Sequence, residues 1–248
     1  GNSSAVILPS SWLNKDVRVQ LIKKTLEIIL FDVLNIIKKH IKTKEIIGMY
    51  LAGSYAREDE DENSDIDIII ITKEIDREAI IERNYNILII SEELLKQKLE
   101  LDLFPIGPMI KEAKPLLNSD YLNSIKIKIT KKNVKWYLET TEDKLNVVEK
   151  ILLRFKNKRL SDRIAYTLVL RIRTLYIIKG MIENKEYQKK DFLKIIKDVS
   201  KGENAYQSYM RVKNNEKDKR LASIDDIKRL YLYLKSQLEY VKHRIDDG

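Results

Sequence analysis

Gly53-Ser54-Tyr55-Ala56-Arg57, a polar stretch from Glu58 to Ser64, then Asp65-Ile66-Asp67-Ile68-Ile69-Ile70-Ile71-Thr72: the fold turns on how this passage is read. Five isoleucines with no helical gaps form a strand, because β-branched side chains pack well on a pleated surface. Such a run is buried on both faces, except here at its start, where two carboxylates stand. The preceding Ile46-Ile47-Gly48-Met49-Tyr50-Leu51-Ala52 is apolar, ends at a glycine and is too short for a buried helix, so it reads as another strand.

Upstream, from Asp16 to Ile41, apolar residues such as Val17, Leu21, Leu26, Ile29, Val33 and Ile37 recur at helical spacing and predict one long amphipathic helix. Downstream, Asp76 to Arg83 is expected to form a short helix and Asn86-Ile87-Leu88-Ile89-Ile90 a third strand. Helix, strand, turn, strand, helix, strand is a compact α/β unit. Ser91 precedes Glu92 and Glu93 as an N-cap precedes acids in a first turn, starting a helix to about Leu99. Pro105, Gly107, Pro108 and Pro115 mark connecting or irregular structure, with a domain boundary there or shortly after.

From about Asn133 onward no proline interrupts long helical patterns. Leu138, Leu145, Val148, Ile151 and Leu152 fit one helix, and Ile164, Leu168, Ile172, Leu175 and Ile178 another. Phe192, Ile195, Ile196 and Val199 fit a third, and Ile227, Leu230, Leu232, Leu234, Leu238 and Val241 a last. The reading is an α+β chain of 248 residues: an N-terminal unit over 1–126, then an all-helical bundle over 127–248.

Side chains alternate faces along a strand, so Asp65 and Asp67 project to the same side and form a site for a divalent cation. Their hard oxygens suit Mg²⁺, or Mn²⁺, which takes one or two carboxylates and completes its shell with water and substrate phosphates. Gly53-Ser54 closes the first strand, where free backbone N–H groups can meet phosphate oxygens, glycine allows close approach and the Ser54 hydroxyl adds a donor. Arg57 offers a guanidinium fork to the same phosphates. An Asp-x-Asp in an acidic run is by itself usually a solvated loop. In this order, however, two charges open a buried strand, which is costly unless something binds them.

This motif pair resembles the DNA polymerase beta-type nucleotidyltransferase superfamily. The resemblance implies a mixed sheet flanked by helices and transfer of a nucleoside monophosphate from a nucleoside triphosphate, with loss of pyrophosphate, by a two-metal mechanism. Asp65 and Asp67 would hold the metals, with Gly53, Ser54 and Arg57 on the nucleotide. The family often has glycine after the arginine, where this chain has Glu58. It also usually carries a third carboxylate on the next strand, where this chain reads Asn84-Tyr85-Asn86-Ile87. The third-carboxylate position is thus Asn86, an amide that cannot act as a base. Either a carboxylate from elsewhere substitutes (Glu92, Glu93, Glu100 and Asp102 are candidates), or the chain is a degenerate nucleotide-binding or regulatory module.

Charge divides with the fold. Residues 1–126 hold 17 Lys and Arg against 21 Asp and Glu, and 127–248 hold 30 against 17. An acidic half suits metal binding, and a basic half admits RNA as a partner. Arg163, Tyr166 and Arg173 share a helical face that could line the cleft between the halves, although packed tyrosines under surface charge explain them equally well. The run Arg211 to Arg220 reads as a polar loop with affinity for polyanions. The helical half resembles the domains that accompany aminoglycoside-modifying and toxin–antitoxin nucleotidyltransferases. Where such domains act as RNases they place an Arg a few residues before a His on one helix; His40 and His243 are not so placed. The acceptor is left open among a small molecule, an RNA end and a protein hydroxyl, with AMP the expected group transferred. There is no cysteine and no apolar run of the roughly 20 residues a membrane span needs, so the expected setting is the cytoplasm.

Overall fold

The computed structural model describes residues 7–17, 24–61, 64–155 and 159–246. The first helix, α1, is Leu26–Ile37, capped by the Thr25 hydroxyl, which accepts from the Ile28 N–H. The predicted helix began at Asp16. Residues 15–17 and 24–25 lie outside any helix, and the part of that expectation on 18–23 falls outside the described residues.

Five strands and several short helices build the sheet unit. They are β1 (Ile46–Ala52), α2 (Gly53–Arg57), β2 (Ile66–Thr72), β3 (Arg77–Glu82) and β4 (Tyr85–Ser91). These lead into α3 (Glu92–Leu101), α4 (Ile106–Lys111), β5 (Lys114–Leu117) and α5 (Ser119–Ser124). The five strands lie in the order β3-β4-β2-β1-β5. Only β2 and β4 run parallel, and the other three pairings are antiparallel, so the sheet is mixed.

Alternation along β2 divides its isoleucines between two cores. Ile66, Ile68 and Ile70 pack with Ile29, Val33 and Ile37 of α1, while Ile69 and Ile71 pack with Leu95 of α3 and Ile106 and Ile110 of α4. All five are fully buried, each stabilising the fold by about 2 kcal/mol relative to exposure. By the same parity Asp67 belongs to the α3/α4 face, as does Asn86 with Leu88 and Ile90, and Asp65 stands one residue before the strand. This face turns toward the helical half.

Two expectations in this unit fail. Within the stretch from Asp76 to Arg83 lies strand β3, Arg77–Glu82, because pairing with β4 outweighs local helical preference. Arg83, at φ 58°, and Asn84 make the two-residue connection, and Ile81 points outward, 79% exposed. The proline-rich segment is connecting structure only at Pro105, in the turn before α4, and regular elsewhere. Pro108 sits in the first turn of α4, where its missing N–H has no intrahelical partner, and Pro115 sits on the edge strand β5.

The helical half comprises α6 (Lys131–Arg154), α7 (Asp162–Ile182), α8 (Lys189–Ser200), α9 (Asn204–Lys213) and α10 (Ile224–Asp246). Helix α9 is the unexpected member. Its buried side chains are Ala205, Ser208 and Tyr209, too small or polar to give an apolar period. Fully buried Asp162 organises this corner, accepting from the Ser208 hydroxyl at 2.7 Å and the N–H groups of Lys219 and Leu221 at 2.7 and 2.9 Å. The stretch Arg211 to Arg220 is therefore not simply a polar loop. It starts inside α9, and Arg211 turns inward to pair with Glu216 at 2.7 Å and to approach Asp162. Leu232, counted on the apolar face of the last helix, is 63% exposed. Among the described residues no helix is long and apolar enough to cross a membrane.

The halves are joined at the start of α6. Thr130 and Asn133 form a reciprocal capping box, and Asn133 also donates to the carbonyls of Leu99 and Lys128 at 2.7 and 2.9 Å. Leu103, in the connection between α3 and α4, is buried in the bundle core.

Candidate functional site

The C-terminal end of β1 and the N-terminal end of β2 are neighbours in the antiparallel register, with Ala52 opposite Asp67. Gly53 therefore turns directly over Asp67. A Cβ at Gly53 would stand 2.2 Å from Asp67 Oδ2, and the residue lies at φ +67°, so space and backbone both demand glycine. Helix α2 is a single turn closed by Glu58 in the left-handed region at φ 60°. This is where the family often places glycine, and here the acidic residue adopts that conformation itself, with its carboxylate on Lys114 at 2.5 Å.

On the other side of Asp67 lies Asn86, its register partner in parallel β4. The Asn86 amide donates to Asp67 Oδ1 at 3.1 Å. Asn86, the position where a third carboxylate is expected, thus stands beside Asp67 and offers it a donor. Burial raises the proton affinity of Asp67 above the ordinary carboxylate value; the Asn86 bond opposes this, the Asp65 charge adds to it and the Arg57 charge opposes it. Asp65, just before β2, is exposed.

The candidate substitutes lie elsewhere. Glu92, Glu93, Glu100 and Asp102 follow the far end of β4, and six residues of strand from Asn86 to Glu92 span about 20 Å. Glu92 accepts from Tyr121, Glu100 from Lys132, and Asp102 from Lys98 and Tyr137. None of these bonds faces Asp67.

The carboxylate that does reach the site is Glu112, at the C-cap of α4. Its Oε1 accepts from the Gly53 N–H at 3.0 Å and its Oε2 from Arg57 Nη1 at 2.7 Å. Burial raises the Glu112 proton affinity, with Arg57, Gly53 and the Arg173 charge pulling against it. Burial alone would lower the pKa of Arg57, but Glu112 and Asp59 outweigh it and hold the guanidinium above its ordinary value. Asp59 completes this pairing at 3.2 Å from Arg57 Nε.

The helical half closes over these groups. Tyr187, between α7 and α8, has its ring centroid 5.3 Å from the guanidinium of Arg57 and 5.3 Å from that of Arg173 of α7. Lys111 bonds to Asn184 at 2.5 Å and Lys189 approaches Asp61 at 3.6 Å, two further links between the halves. Of the three residues expected on one face of α7, Arg173 stands at this junction, against Tyr187. Tyr166 stacks on Tyr209 at 5.4 Å, and Arg163 is exposed.

Sequence reasoning did not find Glu112, Arg173 as the partner of Tyr187, or Tyr187 itself. A lone glutamate after Pro108 carries no spacing signal, and its role appears only once α4 is seen to run toward Gly53.

Among the described residues no three His, Asp or Glu side chains gather into a complete metal cage. The paired Asp65 and Asp67 nevertheless fit a hard cation that takes its remaining oxygens from water and substrate. Asp67 is partly buried beside a second carboxylate, a state that a cation relieves.

A search of curated proteins finds no relative. Among solved structures, the chain is similar to a nucleotidyltransferase-like protein from Exiguobacterium sibiricum 255-15, at 12% identity over 88% of this chain and 77% of that one, with a TM-score of 0.41. It is also similar to spectinomycin adenyltransferase AAD(9) from Enterococcus faecialis, whose structure holds ATP and spectinomycin, at 14% identity over 84% and 99% of the two chains, with a TM-score of 0.43. The model of the nucleotidyltransferase domain family matches residues 34–137, a span that holds Gly53, Ser54, Arg57, Asp65, Asp67, Asn86 and Glu112. Over residues 34–137 the chain is thus similar to the nucleotidyltransferase domain family.

Proposed function

We propose that the chain, acting in the cytoplasm, transfers a nucleoside monophosphate, AMP in particular, from a nucleoside triphosphate to an acceptor held between a catalytic unit over 1–126 and a helical unit over 127–248. One observation carries the reading. The Gly53 N–H and the Arg57 guanidinium converge on a single oxyanion, the Glu112 carboxylate, immediately beside Asp67. Donors so arranged can equally receive the β- and γ-phosphates, with the Ser54 hydroxyl as a further donor.

Asp65 and Asp67 would hold Mg²⁺ or Mn²⁺, which supplies charge neutralisation at the phosphates and the attacking oxygen. The chain's own contribution is position and charge. Gly53 lets the backbone approach the phosphates, Arg57 neutralises the departing pyrophosphate, and the β1–β2 pairing fixes both relative to Asp67. The acceptor oxygen bonds to the α-phosphorus as the bond from that phosphorus to the bridging oxygen breaks, and the acceptor's proton leaves to solvent.

A second reading, a nucleotide-binding or regulatory module without turnover, is favoured by Asn86, which donates to Asp67 where the family usually places a carboxylate. Incubation with each nucleoside triphosphate labelled in its α-phosphate, Mg²⁺ and a cell extract distinguishes them. Transfer requires a labelled acceptor that disappears with Asp65→Asn and Asp67→Asn. Nucleotide binding without label under either metal supports the second reading, and salt-sensitive RNA binding that survives the Asp changes assigns the basic half a separate role.

A further inference from the structure

We infer that Glu112 is a built-in occupant of the triphosphate cradle, taking in the nucleotide-free chain the donors that phosphate oxygens take in the complex, so that nucleotide binds by displacing it. This rests on the proposed nucleotidyl-transfer site and concerns its regulation. Three features of the structure support it.

The first is the donor set. Glu112 divides its two oxygens between the Gly53 N–H and Arg57, at 3.0 and 2.7 Å, which is how one oxyanion group spans a backbone and a guanidinium donor. Its side chain is only 16% exposed, so water does not share these bonds freely. A phosphate oxygen and the Glu112 carboxylate cannot both hold them.

The second is the placing of Glu112 on the chain. It is the C-cap of α4, and its own N–H is already satisfied by the carbonyls of Ile110 and Pro108. Rotating its side chain away from Gly53 therefore disturbs no helical hydrogen bond. The departure needs χ rotations alone, without unwinding of α4.

The third is where the displaced charge can go. Arg173 of α7 lies close enough for its charge to act on Glu112 and, oppositely, on Arg57. Both guanidinium groups sit beside the Tyr187 ring. With Glu112 on Arg57, the two cations are kept from repelling each other across the cleft. Once phosphate takes Arg57, the freed carboxylate still feels the Arg173 charge. Nucleotide entry would thus exchange a pairing within the catalytic unit for one that reaches the helical half, linking occupancy of the cradle to the contact between the halves.

The consequence is a reduced apparent affinity. If the open cradle is a minor state, the observed dissociation constant rises by the inverse of its fraction, and one charge-assisted pair of this kind corresponds to about tenfold or more. A simple brace between α4 and α2 makes the opposite statement: loss of Glu112 would loosen Gly53 and weaken nucleotide binding.

The test is calorimetric titration of the full chain and its Glu112→Gln and Glu112→Ala forms with inorganic tripolyphosphate and with Mg²⁺·ATP, with circular dichroism as the check on folding. Glu112→Gln keeps the shape and an acceptor for Gly53 while removing the charge from Arg57, so it carries the test if the alanine form folds poorly. Both ligands are expected to bind the variants about tenfold or more tightly than the parent, even where the variants melt lower. Binding by the variants alone supports the inference in its strongest form. Equal or weaker binding by the variants, with the parent binding measurably, overturns it and leaves the proposed function standing. Failure of parent and variants alike to bind either ligand overturns the proposed function and the inference with it.

Discussion

Replacing Gly53 with alanine tests the local geometry at its tightest point. An alanine held at φ +67° costs about 1–2 kcal/mol relative to glycine. Its Cβ would also stand 2.2 Å from Asp67 Oδ2 and 3.1 Å from Cγ, so the carboxylate has to swing aside. Doing so breaks the 3.1 Å bond from Asn86, worth roughly 1 kcal/mol net. The sum is about 2–3 kcal/mol, which for a chain of this size lowers the melting temperature by roughly 4–12 °C. Differential scanning fluorimetry measures this, and Mn²⁺ titration of the same protein reports whether Asp67 still faces its partner. The Gly53→Ala form is expected to melt lower and to lose most of its affinity for Mn²⁺ with ATP. A variant that melts with the parent and binds metal and nucleotide equally well would refute the placement of Gly53 over Asp67.

Other changes probe the surroundings. Asp67 has a raised folded-state pKa, so its contribution to stability is fully present below its unfolded value near 3.8 and is lost as pH rises through the folded value. Without divalent metal, Asp67→Asn should therefore melt above the parent at pH 7, with the gap closing below about pH 3.8, as scanning fluorimetry across pH would show. Asn86→Asp sets a third carboxylate beside Asp67 and is expected to lower the metal-free melting temperature while tightening Mn²⁺ binding by calorimetry; unchanged Mn²⁺ affinity would place position 86 outside the metal's reach. In the bundle, Asp162→Ala leaves the Ser208, Lys219 and Leu221 donors unpaired beside Arg211 and should cost about 3–5 kcal/mol by urea unfolding, with the catalytic unit's metal affinity unchanged.

The parts legible in sequence were those with strong periodicity or a fixed chemical spacing. The isoleucines of β2 announced a strand buried on both faces, and Asp65, one residue before it, stands near enough for its charge to act on Asp67. Ser91 gave the start of α3 by its capping chemistry. What stayed hidden depends on partners distant in sequence. Strand β3 exists because β4 offers it an edge, and α9 is buried through Ala205 and Ser208, residues no apolar pattern selects. The sequence marks Asn86 as the place where a third carboxylate is expected, but that its amide bonds to Asp67 follows only from the parallel register of β2 and β4. Glu112 lies 59 residues from Gly53, and its arrival there is set by the direction of α4 across the sheet.

The catalytic reading stands or falls on whether Asp65 and Asp67 hold a metal ion together with nucleotide. Electron paramagnetic resonance of Mn²⁺ titrated into the chain, with an ATP analogue that cannot be cleaved between its α- and β-phosphates, measures this directly. The account predicts that the parent binds Mn²⁺ more tightly when the analogue is present, and that Asp65→Asn with Asp67→Asn abolishes both the metal signal and the enhancement. Mn²⁺ and analogue bound equally by the parent and the double variant would contradict it.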